Sequence, residues 1–144
     1  MQQGAPYRKI LIANDGSDGA RKALLAAIEL AKLCGAELHM VSVEELPSFA
    51  SSVDEIVEEK KEQNRRFARV IRDACRTASA AGVQLSPWLL AGHTVPIIAG
   101  LIERESFDLL VIGFMGHSAL YSRLIGSTTD RLVDLAPCPV LVAK

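Results

Sequence analysis

LLVIGFMGHSALYSRLIGS, residues Leu109–Ser127, changes character partway along, and that change decides how the chain is built. Leu109–Gly113 is unbroken apolar, the pattern of a strand buried on both faces of a parallel sheet. Glycines then recur at 113, 116 and 126, separated by two residues and then nine, and Ser127 follows the last. A helical stretch from about Ser127 to Leu135 comes next, and Pro139–Ala143 (PVLVA) closes the chain as another strand. Strand, glycine-rich loop, helix, strand is one βαβ winding.

The same grammar runs back to the N-terminus. Lys9–Asn14 (KILIAN) is a short apolar run ending in Asp15-Gly16-Ser17. Ala20, Ala23, Leu24, Ala27, Ile28 and Ala31 then share one helical face until Gly35, a residue suited to a helix C-terminus. Glu37–Val43 is the second strand, and Glu44–Ser52 reads as loop. A long helical pattern covers about Val53 to Ala81, with Phe67, Val70, Ile71 and Ala74 on its apolar side, and Gly82 ends it. Its middle, Glu58–Arg66, is nine polar or charged residues, with pairs such as Glu62–Arg66 at i,i+4. That stretch is either a solvated face beside an active-site opening or a mobile lid or partner surface. Val83–Leu90 is a third strand, in which Pro87 points to an edge position. Val95–Glu105 is a third helix, with Pro96 in its first turn.

Five strands joined by four helices in strict alternation predict a single α/β domain over residues 1–144, an open twisted parallel sheet with helices on both faces. The strand order 3-2-1-4-5 puts the Pro87 strand at one edge, the apolar fourth strand inside and the last strand at the other edge. A sheet of this Rossmann-like kind binds ligands beyond its strands' carboxyl ends, where the winding reverses. Here that point lies between strands one and four, where the Asp15-Gly16-Ser17 turn meets the loop after Gly113.

Composition narrows the function classes. Hydrophobic residues make up 49% and charged residues 23%, which suits a globular domain and not a disordered chain. A net charge of -1 lacks the basic excess that non-specific nucleic-acid binding requires. No apolar run approaches the ~20 residues of a membrane span, and Met1–Lys9 carries no signal-peptide core, so a cytoplasmic protein without membrane insertion is expected. Cys34, Cys75 and Cys138 are far apart and form no CxxC pair, and are expected to be reduced. His39, His93 and His117 show no metal-ligand spacing.

The glycine-rich loop carries the chemistry. Polyphosphate reaches main-chain N–H groups most closely where no Cβ intervenes. Gly126 and Ser127 open the last helix, whose first N–H groups lack intrahelical partners and carry the positive end of the dipole, an anion site that requires no lysine. Against this, Gly113 can simply end a strand, and Ser127 with Asp130 forms an S-x-x-acid capping box. Asp130 also repels phosphate. His117, Ser118 and Arg123 are further donors within reach of phosphate, or solvated loop side chains. Asp15 is either a hydrogen-bonding partner of the ligand or part of a helix start that Ser17 caps.

The GxxG-x9-GS run, the first strand ending in Asp-Gly-Ser and the closing Ala136-Pro137-Cys138-Pro139-Val140-Leu141-Val142 together resemble the universal stress protein family over essentially the whole chain. The resemblance implies ATP binding. Gly113, Gly116, Gly126 and Ser127, with the Thr128 N–H, would hold phosphates and ribose. Asp15 would lie near adenine and ribose, and Ala13 and Val43 would line the adenine pocket. Phe114 and Met115 depart from the small or polar residues common there and would narrow or cover the pocket. The resemblance also implies a homodimer through the last strand (Val140, Leu141, Val142), whose apolar edge invites pairing.

The expected function is an ATP-dependent stress-response switch acting on a regulatory protein partner. Neither GxGxxG nor GxxxxGK[ST] occurs, and the Ser-Gly-Gly-x-Asp-Ser signature of ATP pyrophosphatases is missing. Efficient catalysis is therefore not expected, and slow hydrolysis or a nucleotide-free interaction module are the alternatives. Micromolar affinity requires ~8 kcal/mol, and a helix terminus supplies only ~0.3–2 kcal/mol per charge. ATP is thus expected with Mg2+ or Mn2+, which would bind phosphate oxygens and water.

Overall fold

The computed structural model of the chain describes residues 4–45, 52–115 and 125–144. Its elements run β1 (Lys9–Ala13), α1 (Asp18–Cys34), β2 (Glu37–Glu44), α2 (Val53–Ala80), β3 (Leu85–Ala91), α3 (Thr94–Glu105), β4 (Leu109–Gly113), α4 (Ser127–Leu135) and β5 (Val140–Ala143). The five strands form one parallel sheet in the order β3-β2-β1-β4-β5, as the sequence predicts. Pro87 lies opposite Met40 in the edge strand β3, where its missing N–H breaks no second ladder.

Each face of the sheet carries its own core. Ile10, Ile12, Leu38, Met40 and Val111 pack under α1 and the second half of α2 on one face. Leu11, Val41, Leu110 and Ile112 pack under α3 and Leu132 of α4 on the other. Alternate residues of a central strand thus enter opposite cores, which is why β1 and β4 read as continuous apolar runs. Each buried Ile or Leu contributes roughly 1.5–3 kcal/mol by leaving water. His39 is absorbed by packing: its Nδ1 accepts from Trp88 Nε1 at 3.1 Å and its ring meets Phe107 edge-on.

Helix α1 buries its predicted face, Ala20, Ala23, Leu24, Ala27, Ile28 and Ala31. Four of those six are alanines, so the helix backbone comes close to the sheet. The approach is tightest at its first turn. A Cβ on Gly113 would lie 2.5 Å from the Gly19 carbonyl carbon, and one on Gly19 would collide with the Met115 carbonyl oxygen. The missing side chain of Gly113 is therefore required by α1, independently of any ligand.

Helix α2 spans 28 residues, yet its buried residues, Phe67, Ala74 and Ala78, all lie in its second half. Residues 53–65 are largely exposed, and Val53, Ile56 and Val57 leave apolar surface on them. In β5, Val140 and Val142 turn back against the α3/α4 core while Leu141 is 38% exposed, so the apolar edge expected over Val140–Val142 reduces to Leu141 and the strand backbone. Burial pushes the Cys138 thiol up from its ordinary pKa, opposed by a hydrogen bond with the Leu110 backbone and reinforced by Asp108.

Candidate functional site

The carboxyl ends of β1, β2 and β4 open on a cavity of about 360 Å3, within the range of small-molecule sites. Its floor is held by a buried asparagine. Asn14 Oδ1 accepts from the Gly16 N–H at 2.9 Å, and Asn14 Nδ2 donates to Met40 Sδ at 3.3 Å. The Asn14 carbonyl accepts from Ser42 Oγ at 2.7 Å. The chain then turns through Gly16 at φ 83, a left-handed conformation that glycine adopts without strain. Asp15 Oδ1 accepts from the Ser17 N–H at 3.0 Å, and Ser17 Oγ accepts from the Ala20 N–H at 3.1 Å. Ser17 is thus the cap of α1, satisfying the Ala20 amide with its side chain.

The start of α4 is built differently. Gly126, not Ser127, is the N-cap, and it provides no side-chain hydrogen bond. The capping-box alternative for Ser127 and Asp130 is therefore not formed: Ser127 is the first helical residue, and the Asp130 N–H donates to the Gly126 carbonyl at 2.9 Å. Asp130 is exposed and does not line the cavity. The Gly126 N–H is used internally, donating to the Phe114 carbonyl at 2.9 Å, and Thr129 Oγ1 anchors the turn on the Gly113 carbonyl at 2.7 Å. Gly126, Ser127, Thr128 and Thr129 all line the cavity, which puts the first turn of an uncapped helix on its wall.

Of the residues singled out in the sequence, Ala13, Asp15, Val43, Gly113, Gly126, Ser127 and Thr128 all reach this cavity. Gly116, His117, Ser118 and Arg123 lie outside the described residues. Met115 lines the cavity without filling it, and the Phe114 ring lies 5.3 Å from Lys144 Nζ and takes no part in the lining.

The opposite wall takes in the end of the polar Glu58–Arg66 stretch, which the sequence sets beside an active-site opening without singling out site residues. Glu45, Gln63, Arg66, Phe67 and Thr94 also line the cavity. Arg66 donates to the Asp15 carbonyl at 3.1 Å, whereas Glu62 pairs with Arg65 at 3.3 Å. The signal was present: Gln63, Arg66, Phe67, Val70 and Ala74 recur at helical spacing, so the stripe that packs lower down continues through two polar residues. Polar residues at the upper end of a core stripe face whatever lies beyond the core, which here is the cavity. Among the described residues no cluster of three or more His, Cys, Asp or Glu side chains has metal-binding geometry. None of the described helices is long and apolar enough to cross a membrane.

Fold and cavity together define an open parallel α/β domain whose site lies where the winding reverses. The family model for the universal stress protein family matches residues 6–144, and the chain belongs to that family. Universal stress protein MJ0531 of Methanocaldococcus jannaschii is 32% identical over 143 residues, covering 96% of this chain and 82% of that protein. Among solved structures, universal stress protein UspA from Lactobacillus plantarum superposes with a TM-score of 0.89 at 24% identity, covering 97% of this chain and 99% of that one, a likeness of fold. A universal stress protein in complex with cAMP superposes with a TM-score of 0.75 at 25% identity, covering 96% and 97%.

Proposed function

We propose that this chain is an ATP-dependent switch of the stress response. The observation that carries the reading is the α4 N-terminus, which begins at Gly126 without a side-chain cap and opens on a cavity with one apolar wall. Main-chain amides there suit phosphates, with the Gly126–Thr128 turn as the cradle. Ala13, Val41 and Val43 supply the apolar surface that suits a purine, and Asp15 stands beside it. The cAMP complex of a related universal stress protein supports an adenine nucleotide as the ligand class. Mg2+ or Mn2+ would accompany ATP on phosphate oxygens and water, where it offsets the charge that a helix terminus alone cannot.

The reading is a switch and not a catalyst, with slow incidental hydrolysis at most. Among the described residues, the two carboxylates at the cavity already have structural tasks, Asp15 accepting from the Ser17 N–H and Glu45 from Thr94 Oγ1. In this reading nucleotide binding alters a surface for a regulatory protein in the cytoplasm. Titration calorimetry with Mg-ATP tests it. The wild type is expected to bind, and Gly126→Val to abolish binding with the fold intact, because φ -64 and ψ 147 at Gly126 suit any L-residue. No heat from the wild type would leave a nucleotide-free interaction module, and rapid multiple turnover would make the protein an enzyme.

The chain is further proposed to form a homodimer through the β5 edge. Leu141 is the residue to change, since Val140 and Val142 serve the core. Leu141→Lys is expected to give a monomer in sedimentation, and a dimer that persists would move the interface elsewhere.

A further inference from the structure

We infer that Glu45 reads the exocyclic amine of a 6-aminopurine base and sets which way round the nucleotide lies; this rests on the nucleotide reading above. Glu45 follows β2 directly, on the far side of β1 from β4. Two strand spacings, about 10 Å, therefore separate it from the strand that leads to the phosphate-accepting helix start. Glu45 is exposed and lines the cavity, its carboxylate held by one element and its main chain by another. Thr94, the first residue of α3, donates from Oγ1 to Glu45 Oε1 at 2.8 Å, and Gln63 Nε2 of α2 donates to the Glu45 carbonyl at 3.4 Å.

The position has an electrostatic logic. Helix α3, like α4, starts without a side-chain cap hydrogen bond, its N-cap being His93. Two helix starts near one cavity would leave a polyphosphate two places to settle. Glu45 puts the chain's own anion at the α3 start, linked through the Thr94 hydroxyl. On this side Asp15 and Glu45 face the cavity with Arg66 as the cation, and Arg66 is already engaged at the Asp15 carbonyl. Phosphate is repelled here and accepted at α4, so the base is left facing β2. A carboxylate only accepts hydrogen bonds and has about four acceptor sites, of which Thr94 takes one. The complementary edge is one that donates, and the 6-amino group of adenine is such a donor.

The test compares ATP with purine riboside triphosphate, which lacks only the 6-amino group, on wild type and Glu45→Gln by calorimetry. With Thr94 still donating to the new amide oxygen, Glu45→Gln turns an NH2 toward the base. ATP affinity is expected to fall about 10- to 100-fold, the range of a hydrogen bond to a charged group. Purine riboside triphosphate is expected to bind the two proteins alike, which also verifies that the variant folds. Thr94→Val, which frees the carboxylate without removing it, is expected to cost ATP less than Glu45→Gln does and purine riboside triphosphate nothing. Unchanged ATP affinity in Glu45→Gln, or an equal loss for both ligands, overturns the assignment while leaving nucleotide binding in place. Failure of the wild type to bind either triphosphate removes both readings together.

Discussion

Three of the described helices begin at the cavity, and two of them, α1 and α4, begin in opposite ways. Helix α1 is closed by its own side chains: Ser17 takes the Ala20 amide, Asp15 takes the Ser17 amide and Asn14 takes the Gly16 amide. Helix α4 begins at Gly126, an N-cap that makes no side-chain capping hydrogen bond. Both carry the same dipole, so position in the sheet alone does not select the anion site. Selection comes from what already stands at each terminus: Ser17 caps α1, and the Glu45 carboxylate accepts from Thr94 at the α3 start. A capped start is structural, and an uncapped start facing a cavity has donors to offer.

The largest break in this comparison is at the contact that brings the two helix starts together. Gly113→Val puts a side chain against the Gly19 backbone, which cannot rotate away. Destabilisation by more than ~3 kcal/mol is expected, comparable to severe overpacking, and chemical denaturation reads it. A near-wild-type midpoint would mean that α1 can shift, and the close approach would lose its meaning.

A sharper test makes α4 resemble α1. Gly126→Asp installs a capping carboxylate where phosphate is proposed to sit. Stability is expected to rise by about 0.5–1 kcal/mol from the cap and dipole, while Mg-ATP binding is lost. Opposite signs for stability and binding distinguish a blocked site from a damaged fold. If Gly126→Asp still binds ATP at wild-type affinity, the helix start is not the phosphate site. The converse change is the smallest. Ser17→Ala uncaps α1 and is expected to cost about 1 kcal/mol in denaturant unfolding, with ATP affinity within a factor of about two, because the Asp15 and Gly16 turn still closes the approach. Loss of binding in Ser17→Ala would make the α1 start part of the site.

Local pattern carried most of the fold. The unbroken LLVIG run, the alanine stripe of α1 and the strict alternation of elements follow from side-chain periodicity, which a linear sequence records directly. Strand order followed from two local marks, Pro87 at an edge and the apolar fourth strand inside. The α4 side of the cavity was legible for the same reason, since the glycine spacing and the helix start that follows it are local features of the chain. The opposite wall was less so. Arg66 and Gln63 sit in a run of charge that looks like any solvated helix face, and only the packing of Phe67 fixes the phase of that helix against the cavity. Alternation along β5 does not say which side the core takes, and the structure turns Val140 and Val142 toward it.

The sequence by itself determined the elements, their order in the sheet and one end of the cavity, because each depends on residues close together in the chain. Tertiary structure alone decided that Gly113 is occupied by the approach of Gly19, that Gly126 and not Ser127 caps α4, and that Glu45, Gln63, Arg66 and Thr94 share a wall. The first and the last are contacts between residues far apart in sequence, and the cap is fixed where the Gly126 N–H meets the Phe114 carbonyl at the end of β4. Their existence depends on how closely backbones approach across the sheet, and periodicity carries no record of that distance.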